Sequence, residues 1–325
     1  PLQYCRSVAP GSLELAPAQS MTGEREQRLT YPEFYGLPDG NLLFLYRDGM
    51  SGNGDLLLNR YDCATRSWQR AQSNLISGEG ERNAYWQMAT DANGAIHLSW
   101  VWRETPDVAT NHDMCYAVSR DGGATWQTSS GQRYELPITQ ASAEYAWRIP
   151  QGSDLINQTS MWADRQGRPY IATYFRPPGS DVPQYQLVFH DGYEWHVSQV
   201  GQRATPFSLG GRGTRRVPIS RPQLVVAGDG AQPAAVILFR DVERGERVSA
   251  SLCEDLRVPH WTTLDLSDTP VGMWEPAYDP VVWNTRRELH ILVQFVGQGD
   301  GEGVEDIPPQ IVSVLEWTPF APQAY

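Results

Sequence analysis

The sequence predicts an all-β fold, a β-propeller, and three observations support that expectation. Aromatic and turn residues are abundant: 12 Trp, 15 Tyr and 8 Phe stand beside 29 Gly and 24 Pro. That is the composition of many short strands joined by tight turns. One strand–turn module recurs along the chain. No stretch keeps a helical period, and no Gly/Ser- or Pro-rich linker separates compact halves. With 325 residues, 40% of them hydrophobic, the chain can bury a substantial core, and propellers reach this length as one unit. A single domain over residues 1–325 is expected.

Each copy of the module runs from a polar turn into a strand that ends in an aromatic residue and Arg. The first is Asp39-Gly40 followed by NLLFLYR, ending Tyr46-Arg47; the second is Asp91 to Gly94 followed by AIHLSWVWR, ending Trp102-Arg103. The third follows Asp164 to Gly167 and ends Phe175-Arg176; the fourth follows Asp229-Gly230 and ends Phe239-Arg240. A fifth, ELHILVQF over Glu288 to Phe295, lacks the Arg. Turn glycines 40, 94, 167 and 230 lie 54, 73 and 63 residues apart, the scale of a four-stranded blade. After each copy a second strand reaches a Trp (68, 126, 195, 261, 317), expected at equivalent outer positions. The run Ser119-Arg120-Asp121-Gly122-Gly123-Ala124-Thr125-Trp126 fits the S-x-D-x-G-x-T-W Asp box, a structural hairpin turn with Trp packed beneath. PLQYCRS and SLELAP at the N-terminus read as outer strands of a sixth unit. The expectation is a seven-bladed ring in the full protein, with about five and a half blades in this chain and part of the first blade or blades lacking. A closed five-bladed ring is the alternative.

Charge and sequence content exclude several function classes. A net charge of −12 argues against nucleic acid as partner, since phosphate binding needs a basic surface. No run of 18 apolar residues could span a membrane. All 26 basic residues are arginine, so every cationic contact is a planar fork suited to carboxylate or sulfate. Cys5, Cys63, Cys115 and Cys253 are far apart, with neither zinc nor dense-disulfide spacing. No metal site is predicted, although a propeller loop could accept a structural calcium, and no nucleotide motif or nucleophile elbow occurs.

Strand ends of a propeller open onto one face, so Arg47, Arg103, Arg176 and Arg240 are candidates to gather at one mouth. Polar, Gly-rich segments follow the first two: RDGMSGNGD after Tyr46, and Arg103-Glu104-Thr105 leading to Asn111-His112-Asp113. Such loops suit close approach of a sugar chain. His97, alternating with apolar residues in mid-strand, reads as core. His112 beside Asp113 is the histidine best placed for function. Arg, Tyr and His converging on one mouth would suit β-elimination from a uronic acid, which needs a cation on the C6 carboxylate, a base for the C5 proton and an acid for the departing oxygen. Glycosidases instead need two flanking carboxylates, and 38 acidic residues leave that choice open.

The runs Thr30-Tyr31-Pro32-Glu33-Phe34, YRDGMSGNGD, Arg82-Asn83-Ala84-Tyr85-Trp86, HLSWVWRETPDVATNHD and the Asp box together resemble the BNR-repeat propeller family. That family holds ulvan lyases, rhamnosyl-glucuronate lyases and a related α-L-rhamnosidase branch. The likeness is strongest from Pro1 to about Gly230. It implies a secreted or periplasmic polysaccharide lyase without a required cofactor, acting on an anionic polysaccharide or oligosaccharide; the sequence leaves the oligomeric state open, with a monomer favoured. By resemblance, Tyr31 is the proton donor and Arg47, sixteen positions on, is the carboxylate clamp. Tyr85 and Arg103 match substrate contacts, and Asn83, Asn111 and His112 are expected beside them. The family's catalytic histidine pair belongs to the blade before the PLQYCRS-like segment, and no histidine here matches it. A non-catalytic glycan binder and a hydrolase of the rhamnosidase branch are therefore the alternatives.

Overall fold

The computed structural model describes residues 2–228, 231–301 and 305–320. Four antiparallel four-stranded sheets follow one another, each with its strands in chain order. The first holds β1 (Leu29–Gly36), β2 (Leu42–Met50), β3 (Asn53–Asp62) and β4 (Ser67–Ile76). The second holds β5 (Asn83–Thr90), β6 (Ile96–Arg103), β7 (Asn111–Ser119) and β8 (Glu144–Trp147). The third comprises β9 (Ser160–Ala163), β10 (Pro169–Phe175), β11 (Gln184–His190) and β12 (Trp195–Val200); the fourth, β13 (Gln223–Ala227), β14 (Ala234–Phe239), β15 (Ser249–Cys253) and β16 (Thr262–Asp265). A two-stranded sheet of β17 (Leu289–Val293) and β18 (Ser313–Trp317) comes last.

The recurrent module is the second strand of each sheet. Those strands, β2, β6, β10 and β14, are almost wholly buried, because apolar residues on both faces pack between neighbouring sheets, as propeller blades require. First strands face one another: residues Glu33 and Tyr35 of β1, Gln87 of β5, Ser160 of β9 and Gln223 of β13 line one cavity of about 240 Å³. The radial order is therefore first strand innermost. The fold is all-β and propeller-like.

Trp68, Trp126, Trp195 and Trp261 each stand at the start of the outer-strand path. Trp317 departs from this pattern. It ends β18 and pairs with Leu289 of β17, the position of a third strand, because the fifth unit has only two strands among the described residues. The Asp box forms as its residues dictate. Asp121 accepts from the Thr125 N–H (2.8 Å) and Thr125 hydroxyl (2.7 Å), and Trp126 Nε1 donates to Gly123 O at 3.2 Å beneath the turn. The N-terminal segments bridge each other at Tyr4–Gln19 and Ser7–Leu15. Leu2 and Met21 then pack on Phe44, Tyr46 and Leu57 of the first sheet. One short helix, α1 (Pro280–Arg286), escapes sequence periodicity. Asp279 caps it by accepting from the Val281 and Val282 N–H groups, and its single buried residue is Trp283. The Asp229-Gly230 turn lies outside the described residues.

Candidate active site

Antiparallel pairing brings the start of a first strand, the end of a second and the start of a third to one edge of a blade. In the second sheet Asn83, Arg103 and Asn111 form one such row; in the first, Thr30 pairs with Arg47. Cross-strand partners share a face, so these side chains meet.

Tyr31 joins them through a distortion. The β1–β2 register shifts between Thr30 and Glu33, and Tyr31 has φ +54°, a left-handed backbone unusual for a bulky side chain. A bulge re-aims the residue it carries. The Tyr31 ring stands edge-on to Tyr85 (5.4 Å between centroids) and to Trp86 (6.3 Å). The Arg47 guanidinium lies 4.9 Å from the Tyr31 ring centroid and 5.4 Å from that of Tyr85. Arg103 lies 4.3 Å from the Tyr85 centroid and donates from Nη1 to the Tyr85 hydroxyl at 3.1 Å. Arg47 Nε donates to Thr30 Oγ1 at 2.9 Å, and Ser51 Oγ shares a hydrogen bond with the Tyr85 hydroxyl at 3.1 Å. Tyr31, Arg47, Tyr85 and Arg103 thus occupy one cluster.

Burial makes the two cations unusual. Arg47 is 4% and Arg103 5% exposed, and neither pairs with a carboxylate among the described residues. Arg47 Nη1 and Arg103 Nη2 are buried without a hydrogen-bond partner. Unpaired charge in low dielectric is costly, and its field reaches the tyrosines. Burial pushes the Tyr85 hydroxyl up, but Arg103, the Ser51 hydrogen bond and Arg47 outweigh it and hold the group below its ordinary value. For Tyr31, burial and neighbouring Tyr85 win over the two arginines, so its hydroxyl stays protonated above the usual range. Burial, with Arg47 and Arg221 nearby, holds Arg103 below its ordinary value.

The loop after β2 clamps the cluster. Gly52 has φ +77°, and a Cβ there would lie 2.8 Å from Thr105 backbone carbon. A Cβ on Gly54 would lie 2.8 Å from Arg47 Cγ. Only glycine lets this backbone press against the Arg47 stem.

The remaining predicted residues surround the cluster without facing into it. Asn83 is buried, accepts from the Gly52 N–H and donates to Ala84 O at 3.1 Å. Asn111 accepts from Arg103 Nε at 2.7 Å and donates to Leu155 O at 2.8 Å. Both amides are occupied by protein partners and fix the loop and the guanidinium. His112 is buried, with Nε2 2.8 Å from Glu104 Oε1 and Nδ1 3.1 Å from Asp113 Oδ2. Burial would lower its pKa, but the two carboxylates hold it above the ordinary value. Arg82 Nε completes the network on Glu104 at 2.9 Å. His97 is core, between Tyr116 (2.7 Å) and Asp91 (3.3 Å). The expected ring of four strand-end arginines reduces to two. Arg176 pairs with Asp154 at 3.4 Å, and Arg240, fully buried, points at the carbonyls of Val217, Pro218 and Trp274.

Thr30, Ser51, Trp86 and Glu104 join the site without having been singled out in the sequence. Thr30, Trp86 and Glu104 adjoin Tyr31, Tyr85 and Arg103, and Ser51 lies in the Gly-rich loop after β2, so each carried a detectable signal; the charge of Arg221, far along the chain, bears on Arg103 without one. Among the described residues no group of three His, Cys, Asp or Glu is placed to hold a metal, and no helix is long and apolar enough to cross a membrane.

Comparison with known proteins fits this geometry. The chain is 25% identical over 198 residues to a long-isoform ulvan lyase of Pseudoalteromonas sp. (strain PLSV), covering 54% of this chain and 20% of the relative. It is 43% identical over 137 residues to one of Glaciecola sp. (strain KUL10), covering 38% of this chain and 14% of the relative. The chain therefore spans about a fifth or less of these curated relatives. Among solved structures, an ulvan lyase of a new polysaccharide lyase family superposes with TM-score 0.65 at 14% identity, over 90% of this chain and 67% of that one. It has also been solved bound to -[GlcA(1-4)Rha3S]-. Polysaccharide lyase Uly1 superposes at 0.59 with 17% identity, over 91% and 60% of the two chains. These likenesses support the fold. The model of the BNR repeat-containing family matches residues 1–203, the segment that builds the first three sheets and the tyrosine–arginine cluster, and the chain belongs to that family.

Proposed function

We propose that this chain forms part of a polysaccharide lyase that cleaves a uronic-acid-containing polymer, ulvan-like or rhamnosyl-glucuronate, by β-elimination. The observation that carries the reading is the pair of buried guanidiniums, Arg47 and Arg103, without carboxylate partners among the described residues and gathered with two tyrosines. Such a pair suits a substrate carboxylate, which accepts in the plane of the fork.

In the proposed reaction Arg47, seconded by Arg103, neutralises the C6 carboxylate, so that charge developing as the C5 proton leaves meets preorganised donors. The C5–H pair becomes the C4–C5 double bond and the C4–O bond breaks. Tyr31, 37% exposed and held protonated, gives its proton to the departing oxygen. Tyr85 contacts the sugar and orients Arg103. Asn83 and Asn111 act by holding Gly52 and Arg103. Both ring nitrogens of His112 are engaged by the Asp113 and Glu104 carboxylates, so the proton acceptor lies outside this group. The elimination itself calls for no cofactor. The protein is read as a single propeller domain, a monomer, working outside the cytoplasm where such polymers occur.

That engagement of His112 also favours a second reading, glycan binding without cleavage. Supplying an ulvan or a rhamnosyl-glucuronate gum and following ultraviolet absorbance separates the two. Rising absorbance from unsaturated uronate supports the lyase; bound polymer of unchanged length supports the binder. Free sugar released without absorbance would point to a hydrolase.

A further inference from the structure

A second cleft, of about 480 Å³, opens between β8 and the third sheet, lined by Tyr145, Trp147, Arg148, Phe175, Pro177 and Gln186 among others. Its volume falls in the roughly 300–1,000 Å³ range of small-molecule sites. It lies on the same face as the tyrosine–arginine cluster. Trp147 pairs with Met114 near the start of β7, whose first residue, Asn111, pairs with Arg103, and Phe175 ends β10 as Arg103 ends β6.

The lining combines flat apolar surface with one cation. Arg148 stacks over the Tyr145 ring, 3.2 Å from its centroid, and its side chain is 68% exposed. Among the described residues its one carboxylate contact is Asp113 Oδ2 at 3.2 Å, and the same carboxylate already accepts from His112 and from the Ile149 N–H. A guanidinium held flat by an aromatic ring, beside a partly buried Trp and a proline rim, offers both a stacking platform and a fork for an anion. The apolar face of a sugar ring fits the first, and a carboxylate or sulfate ester fits the second.

We propose that this cleft is a second saccharide subsite, which takes an anionic sugar of the same polymer outward from the tyrosine–arginine cluster. The proposal rests on reading that cluster as the uronate site. A bound chain running across the second sheet would reach it past the Glu104–His112–Asp113 network, which ties Arg148 to the neighbourhood of Arg103. Binding there would favour long chains over short ones, because the second contact adds to the first at high effective concentration.

The test follows indole N–H resonances of 15N-labelled protein carrying Tyr31→Phe, which keeps a bound chain intact if Tyr31 is the acid. Trp147→Phe and Trp86→Phe assign the two reporters, and the probe is a hexasaccharide of -[GlcA(1-4)Rha3S]-. The Trp147 signal is expected to shift saturably, and Arg148→Ala to weaken that apparent affinity about tenfold, the scale of one charge-assisted contact. Removing sulfate or reducing carboxylates in turn identifies which anion Arg148 holds. A Trp147 signal that stays still while Trp86, beside Tyr31, saturates would overturn the proposal, as would a shift indifferent to Arg148→Ala. If Trp147 responds and Trp86 is silent, the cleft stands and the uronate reading of the cluster falls.

Discussion

Replacing Arg47 probes the electrostatics of the cluster and its chemistry together. The guanidinium sits between the Tyr31 and Tyr85 rings, anchored by Nε to Thr30, with Nη1 buried and without an acceptor. In the native protein that geometry costs desolvation and recovers part of it through two cation–π contacts, each about 0.5–2 kcal/mol. Arg47→Ala removes both the buried charge and the contacts, so the opposing terms largely offset and the melting temperature is expected to move by only a few degrees. Turnover has no such offset. A preorganised donor facing developing enolate charge contributes about 2.7–4 kcal/mol, so Arg47→Ala should lose about 100- to 1,000-fold in kcat. Arg47→Lys keeps the charge but loses the fork and the ring stacking, and should also be strongly impaired. Initial rates of absorbance increase on a uronic-acid polymer, with melting curves alongside, measure both effects. Parental rates in both variants would refute the clamp assignment. A large fall in melting temperature with unchanged rates would make Arg47 a structural residue.

Tyr31→Phe preserves the edge-on ring contact with Tyr85 but removes the proposed acid, so kcat should fall about 100- to 10,000-fold while saccharide affinity, measured by calorimetry, changes little. Because the Glu104 and Asp113 carboxylates raise the folded pKa of His112 above its ordinary value of about 6.5, its ion pairs stabilise fully below that value and fade as pH rises through the folded pKa. The melting temperature should therefore drop on the alkaline side, and His112→Gln should flatten that dependence. Asp121→Ala removes the carboxylate that holds Ser119 and Thr125 in the Asp box. It should cost about 1–3 kcal/mol of stability in denaturant titrations and leave kcat unchanged, since the box lies at the far end of β7 from Arg103.

The sequence made the second strands legible because turn, apolar run and aromatic–Arg ending recur together, and β2, β6, β10, β14 and β17 fall on the five copies. First strands were less legible. Residues such as Gln87, Ser160 and Gln223 line a polar axial cavity and dilute the alternation that marks a strand. Trp317 was misplaced because a repeated Trp marks a turn, whereas its strand assignment depends on how many strands the unit holds. For the site, register placed Arg47 and Arg103 at strand ends, and the resemblance pointed to Tyr31 and Tyr85. What distinguishes Arg103 from Arg240 could not be read locally. Arg240 meets carbonyls of residues 217, 218 and 274, contacts that only the assembled sheets create. The occupied amides of Asn83 and Asn111 depend on the same long-range placement.

The most direct test of the central claim is calorimetric titration of the protein with a glucuronate-containing disaccharide and with its carboxyl-reduced counterpart. If Arg47 and Arg103 grip the uronate carboxylate, the acid form should bind at least tenfold more tightly, a margin expected from one charge-assisted contact. The combined Arg47→Ala, Arg103→Ala variant should abolish the difference. Equal affinity for the two sugars, or a preference that survives loss of both arginines, would contradict the account.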